Sequence, residues 1–391
     1  MAQLLLLRGA RQLLTLRGPS GVRRGAALND LGIIEDGSVL IQDGRIVSVG
    51  ATRRIENLKE ARGAIDIPVT GAVVMPGFVD PAIQVSLYEK PAGPDSVPKR
   101  KKSLNFYQES LTLIRSGLQH GTQHAQFRLN SECASAAADI AALRQLSLIG
   151  ANPVGTVRSL RLPPAIFDET KFAAFAVQLA KLHRKKLLHF LELATNPDRP
   201  SSTLFWELLS RAGFPLNLIW PGGSAAYLET LLTQARPGCV YCPVELSNAE
   251  CAVLGRSPCM SVFSPCKDLL EERENPSAKK LVAAGGAIAL GSGYDAKDAP
   301  IFSMQMVVAL AVLRLRLTVE QAIAATTVNA AYALGCAHEV GTLESGKRAD
   351  LLVLNLSDYR EIPRRIGVNQ VVMALRDGNF VINRKSAKAK A

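Results

Sequence analysis

The stretch VMPGFVDPAIQVSLYEK, residues 74–90, sets the reading of the whole chain. From Phe78 to Val85 it is a short apolar run, and behind it comes a Pro- and Lys-rich segment, PAGPDSVPKRKK (91–102). A run of this length bounded by turn residues reads as a strand. Seven comparable runs follow, at 121–127, 146–151, 187–193, 215–220, 238–243, 259–264 and 287–292. Helical stretches fall between them, at 103–118, 132–144, 168–182, 201–212, 225–235, 247–256 and 276–285, with a long one at 300–316. Strands alternating with helices in this way predict an α/β fold. The number of strands favours a (β/α)8 TIM-type barrel over a doubly wound sheet. One helix start is marked strongly: Ser247-Asn248-Ala249-Glu250 has the pattern of a capping box.

The two chain ends read differently. GSVLIQDGRIVSVG (37–50) alternates apolar and polar residues on both sides of Asp43-Gly44, a two-residue hairpin signal. KRADLLVLNL (347–356) is strand-like, and VVMALRDGNFVI (371–382) is a second hairpin, turning at Asp377-Gly378. Strands at both ends predict a small β-sandwich built from the N- and C-terminal segments. The expected organisation is residues 1–73 in the sandwich, 74–336 in the barrel, 337–383 returning to the sandwich, and 384–391 a basic tail.

Composition narrows the function classes. The chain has 391 residues, 48% of them hydrophobic, with 30 Gly and 21 Pro, which suits a large core punctuated by loops. No apolar run reaches the roughly 18–20 residues that a membrane span needs. The first 29 residues carry five Arg and no acid, like a mitochondrial presequence, although an apolar first strand followed by a basic loop explains them better. The net charge is +12. Four of those charges are Lys99, Arg100, Lys101 and Lys102, and four more are Arg384, Lys385, Lys388 and Lys390, which leaves 12 − 8 = +4 for the rest. Neither run is accompanied by a nucleic-acid-binding motif, so nucleic acid is not the expected partner. A protein with an acidic surface fits the charge as well. Seven Cys, five of them between 239 and 266, read as free thiols of a reducing cytoplasm.

Candidate reactive groups are few. In such barrels the chemistry sits at the C-terminal ends of the strands. The five His (His120, His124, His183, His189 and His338) form neither HxH nor HxxxH at such an end. A divalent ion needs several convergent ligands, which they do not offer. Cys239-Val240-Tyr241-Cys242 has CxxC spacing, with Cys251, Cys259 and Cys266 downstream, but strands and a helix would hold these thiols apart. Packing roles are expected for them. GGAIALGSG (285–293) is glycine-rich, yet lacks the Lys-Ser/Thr of a phosphate loop and the GxGxxG of a dinucleotide site.

Several motifs together resemble the amidohydrolase superfamily, and within it the imidazolonepropionase branch. GSVLIQDGRIVSVG and VVMPGFVD resemble the opening of that family. GGAIALGSG, FSMQMVVALAVLRLRLTVEQAIAATTVNAAYALG and GTLESGKRADLLVLN resemble its closing barrel strand, helices and return to the β unit, and RRIGVNQV is typical of the branch. The resemblance implies a divalent metal in the barrel mouth whose bound water attacks a cyclic amide. It implies two His after strand one, a His after strand five, a His after strand six and an Asp after strand eight.

Matched position by position, these fall on Ala82 and Gln84, Ile219, Cys242 and Gly293. All five are substituted, and Asp295 lies two residues beyond the expected acid. Gln84 and Cys242 are the only possible donors left, and two weak donors do not hold an ion that activates water. No metal or other cofactor is therefore expected. The resemblance so modified implies a non-catalytic, amidohydrolase-like structural or regulatory subunit, working as a homo-oligomer or with a partner protein. Two alternatives stay open. One is a small-ligand module using the barrel mouth, with Gln126, Arg128 and Ser292 beside Gln84 and Cys242. The other is a divergent cyclic-amide hydrolase with Cys242 as nucleophile, although no His is placed in sequence to activate it.

Overall fold

The computed structural model describes residues 4–85, 103–130, 155–162, 179–196 and 213–384, together with 141–142, 144–145, 177, 206–207 and 209. The chain opens with strands β1 (Leu4–Leu14), β2 (Ile33–Gln42), β3 (Arg45–Ala51), β4 (Ile65–Pro68) and β5 (Val73–Pro76). The barrel strands follow: β6 (Phe78–Val85), β7 (Thr122–Asn130), β8 (Gly155–Leu162), β9 (Phe190–Ala194), β10 (Leu216–Ile219), β11 (Cys239–Tyr241), β12 (Met260–Phe263) and β13 (Ala287–Leu290). The chain returns to its first layer through β14 (Leu351–Leu354), β15 (Val371–Arg376) and β16 (Asn379–Asn383).

Strands β6 to β13 pair in sequence order, all parallel, as a (β/α)8 barrel requires. Among the described residues no ladder joins β13 to β6. Asp80 closes that seam: its Oδ1 accepts the backbone N–H of Ala82 and of Ser292, both at 3.0 Å. The Gln84 N–H adds a bond to the Tyr294 carbonyl at 2.8 Å. Inside, Val79, Tyr241, Met260, Val262 and Ala289 form one apolar cluster with Ala330, Ala331 and Ala333 of the helix Val328–Ala333. That helix plugs the end where the strands start, because the Cys239 thiol reaches the Ala333 carbonyl. The opposite end, at the strand C-termini, is left as the mouth.

The terminal strands form one eight-stranded sheet in the order β16-β15-β14-β5-β1-β2-β3, with β4 beside β1. It curls over itself, so that Val39 and Ile41 near one edge share a core with Met373 and Leu375 near the other. Both expected hairpin turns are present. Asp43 and Gly44 (φ +49° and +79°) and Asp377 and Gly378 (φ +49° and +71°) take the left-handed pair that a two-residue hairpin needs. The two turns also touch. A Cβ on Gly44 would lie 2.7 Å from the Asp377 carbonyl oxygen, and one on Gly378 would lie 3.0 Å from Gly44 Cα.

One strand differs from its expected place. The sequence puts the third barrel strand at 146–151, which lies outside the described residues, and the strand is β8 at 155–162. Arg158, Ser159 and Arg161 disguise it, since a strand interrupted by polar residues does not read as a buried barrel strand. Most of the helical stretches expected at 132–144, 168–182 and 201–212 also lie outside the described residues.

The capping box at Ser247 is formed. Ser247 Oγ accepts from the Glu250 N–H at 3.2 Å, and Glu250 Oε2 accepts from the Ser247 N–H at 2.7 Å. Glu250 has a second task that sequence pattern did not reveal. Its Oε1 accepts from the indole N–H of Trp220 at 2.6 Å, where Trp220 is wholly buried just past β10. Glu250→Ala therefore removes a cap and strands a buried donor. It is expected to cost about 2–4 kcal/mol, against about 1 kcal/mol for Ser247→Ala, as urea denaturation would read.

Two imidazoles, His124 buried and His189 half-buried, make the fold acid-sensitive. His124 sits at the barrel–sheet junction with Nε2 2.7 Å from Asp350 Oδ2, and burial lowers its pKa. His189 accepts the Arg158 N–H on Nδ1 at 3.3 Å, and burial, with Arg158 and His183 nearby, pushes its pKa down to about 4. Both folded values lie below the unfolded value near 6.5. The unfolded chain thus takes up more protons on acidification, and this stability is complete above about pH 6.5 and falls below it. The share from His189 is exhausted near pH 4. After allowance for partial exposure, a loss of about 1–2 kcal/mol is expected across that window, reduced in His189→Gln. A denaturation midpoint flat over the window would contradict neutral burial.

Candidate functional site

The barrel mouth holds a cavity of about 220 Å³. Ala82, Gln84, Ile219, Cys242 and Gly293 all line it. They come from β6, β10 and the segments after β11 and β13, and each sits at the C-terminal end of its strand. The structure thus brings together all five positions that the sequence singled out. Of the three candidate ligand contacts, Arg128 reaches the cavity, whereas Gln126 and Ser292 do not line it. Ser292 is buried at the seam, with its N–H on Asp80 and its Oγ accepting from the Tyr294 N–H at 3.1 Å. Asp295 is not a lining residue either; its Oδ1 is turned to the Lys297 N–H at 2.9 Å.

The floor of the cavity is a polar network centred on Glu192 of β9, which sequence reading missed. Glu192 is fully buried, and its Oε1 accepts from Gln126 Nε2 at 2.8 Å and Ser159 Oγ at 2.6 Å. Its Oε2 accepts from Arg128 Nε at 2.7 Å and lies equally close to Arg128 Nη2. Arg161 approaches the same oxygen at 3.8 Å. Burial alone would raise the Glu192 carboxyl, but the Arg128 and Arg161 guanidiniums outweigh it and hold it below the usual carboxylate range. Tyr241 completes the floor: its hydroxyl lies within hydrogen-bond distance of two acceptors, the Pro81 carbonyl at 3.0 Å and Gln126 Oε1 at 3.2 Å, and its ring lies 4.0 Å from the Arg128 guanidinium carbon. The available signal was a single acid within the apolar strand 187–193.

The walls add more positive charge. Lys267 and Arg273 line the cavity beyond β12, with Asp268 between them. Arg273 Nη2 meets Asp268 Oδ1 at 3.0 Å and Glu271 at 2.5 Å, and Lys267 is 3.7 Å from Glu271. Burial raises the Asp268 carboxyl, opposed by Arg273.

A divalent metal does not fit this donor set. None of the five His lines the cavity. Instead, His124 is committed to Asp350, His183 lies against Phe214, His120 against Phe302, His189 accepts from Arg158, and His338 is exposed. Among the described residues no three His, Cys, Asp or Glu side chains converge to hold an ion. The Cys242 thiol is pushed well above its ordinary pKa by burial, so it is protonated near neutral pH and a poor ligand or nucleophile. At position 293 the backbone is left-handed (φ +66°), and a Cβ would meet Ser264 Cβ at 2.6 Å and Lys267 Cβ at 2.9 Å. A ligating carboxylate there would need both the backbone and the Lys267 helix to move. The cations at the mouth also oppose a further positive charge.

The basic surfaces that the sequence singled out can be placed only in part. The run 99–102 and the tail residues 385–390 lie outside the described residues, while Arg384 bonds the Gln119 side chain at 2.9 Å. Among the described residues no helix is long and apolar enough to cross a membrane. Cys239, Cys242, Cys251, Cys259 and Cys266 are buried free thiols.

This architecture, a parallel eight-stranded barrel with a β layer made from both chain ends, is shared with solved structures of deaminases and hydrolases. The Amidohydrolase family model matches residues 222–381. Guanine deaminase of E. coli superposes with a TM-score of 0.66 over 98% of this chain and 99% of its own, at 17% identity. Atrazine chlorohydrolase of Arthrobacter aurescens, in complex with zinc, gives 0.70 over 97% of this chain and 96% of its own, at 14% identity. In sequence the chain is 25% identical to imidazolonepropionase of Parabacteroides distasonis, covering 96% of this chain and 98% of that protein. It is 27% identical to that of Geobacillus kaustophilus, covering 97% and 98%. Over nearly its whole length the chain is thus similar in sequence to imidazolonepropionases, and residues 222–381 within it carry the match to the Amidohydrolase family model.

Proposed function

We propose that this protein is a non-catalytic, imidazolonepropionase-like amidohydrolase, serving in the cytoplasm as a structural or regulatory subunit of a protein assembly. The observation that carries the reading is the cavity itself: Ala82, Gln84, Ile219, Cys242 and Gly293 line it, and arginines and a lysine surround them. A ring-opening hydrolase must generate a nucleophilic water near neutral pH, and a metal does so by lowering the pKa of bound water. Arginine and lysine cannot substitute, because they carry no lone pair for a metal and accept no proton from water near neutrality. Cys242 offers no second route, since its thiol meets the Val240 carbonyl and the Ser261 hydroxyl, neither of which is a base that could deprotonate it. The preserved fold around such a mouth supports a role for the surface rather than for turnover. The basic run at 99–102 and the tail at 384–390 suit a partner with an acidic face, alongside self-association.

The test is an assay of the purified full chain with imidazolonepropionate, with and without added zinc, next to its mass in solution. No turnover is expected, together with a homo-oligomer or a stable complex from the native host. Turnover abolished by Gln84→Ala or Cys242→Ala would overturn the reading, and a lone monomer without a partner would remove its structural half.

A further inference from the structure

The charge of the barrel mouth points to a ligand of its own. Among the described residues four cationic side chains line the cavity, Arg128, Arg161, Lys267 and Arg273, against one acid, Asp268. Three of the cations have close counter-ions: Arg128 in Glu192, Arg273 in Asp268 and Glu271, and Lys267 more loosely in Glu271. Among the described residues Arg161 has none so close. Its nearest carboxylate oxygen is 3.8 Å away and already accepts from Arg128, and its Nε is buried without a hydrogen bond among the described residues. Burial and the neighbouring Arg128 pull its pKa down to about 10, so the site holds this charge at a cost. A guanidinium has five N–H donors in a planar fork that matches an oxyanion edge to edge. The volume, about 220 Å³, is below the range of roughly 300–1,000 Å³ of pockets for larger ligands.

We propose that the barrel mouth binds a small oxyanion, a carboxylate or phosphate group, anchored by Arg161 and flanked by Lys267 and Arg273. The Arg128–Glu192 ion pair is the neutral floor beneath it, and Gln84 and Tyr294 also line the cavity. The anion supplies Arg161 with a closer counter-charge than Glu192, which stands 3.8 Å away and is shared with Arg128. This goes beyond the non-catalytic reading and does not depend on it. A mouth that binds no anion would leave that reading standing, and turnover would leave anion binding standing.

The experiment is isothermal titration of the full chain near neutral pH in a phosphate-free buffer of low ionic strength. Inorganic phosphate is used in one arm and glutarate in the other, so that the arms separate the two sources of the oxyanion. The expected result is saturable one-to-one binding of at least one probe, with Kd below about 1 mM. Arg161→Gln should weaken it at least about tenfold, while the ligand-free variant melts at the same temperature as the parent or higher. Lys267→Gln, at a half-exposed position, should weaken it severalfold and serves where Arg161→Gln does not fold. No saturable binding in either arm, or equal affinity in the parent and the folded variants, would overturn the proposal.

Discussion

Replacing Glu192 by Gln is expected to lower the stability of the protein by about 3–5 kcal/mol, one of the two largest effects anticipated for a single substitution. The change barely alters shape, so its cost is electrostatic. Among the described residues Glu192 is the only carboxylate paired with two guanidiniums inside the barrel, at 2.7 Å from Arg128 and 3.8 Å from Arg161. A buried ion pair contributes little net stability when intact, because desolvation offsets attraction, but losing one partner leaves the other charged and dry. Here it leaves two. The amide would also turn N–H groups toward Arg128, where only acceptors suit. Urea denaturation should show a lower midpoint with an unchanged slope. The double variant Arg128→Met with Glu192→Leu should recover much of the loss, since an apolar pair of similar volume is often neutral. A loss below about 1 kcal/mol in the single variant would mean that the guanidiniums find water, contrary to the burial described.

Asp350→Ala is the second. Asp350 follows the Lys-Arg-Ala run into β14, and three groups converge on its carboxylate: His124 Nε2 at 2.7 Å, Arg348 Nη2 at 3.0 Å and the Asp377 N–H at 2.8 Å. His124 belongs to the barrel and Asp377 to the final hairpin turn, so one side chain ties both layers together. Its side chain is 2% exposed. Removal strands a buried donor on each side and is expected to cost about 3 kcal/mol or more. Burial would raise this carboxyl, but His124 and Arg348 with the backbone donor hold it below the usual value near 3.8. Its folded pKa is therefore below its unfolded one. The stability is present above about pH 3.8 and is lost as pH falls through the folded value. Asp350→Asn should lower stability near neutrality and flatten that acid limb. Amide exchange in the 371–383 hairpin should accelerate with it.

Much of this architecture is legible in the sequence, for local reasons. The Asp-Gly pairs at 43–44 and 377–378 demand two left-handed residues in succession, and few other structures do. The capping box at Ser247 declares itself within four residues. Eight apolar runs separated by helical stretches leave few folds to choose from. Reading Ala82, Gln84, Ile219, Cys242 and Gly293 as strand ends is enough to bring them to one cavity. What stays hidden is non-local. Gln126, Arg128, Ser159, Arg161 and Glu192 lie on three different strands, up to 66 residues apart, and only the barrel makes them neighbours. Arg161 is out of reach of a reading that ends the third strand at 151. Lys267 and Arg273 follow β12 in a segment whose charges look solvated in sequence, yet both turn to the mouth.

These features describe a barrel whose mouth carries charge of the same sign as a metal ion. Equilibrium dialysis of the purified chain against micromolar zinc, with metal measured by mass spectrometry, tests that most directly. Well under about 0.1 zinc per chain is predicted, unchanged in Gln84→Ala and Cys242→Ala. About one zinc per chain, lost in either variant, would contradict it.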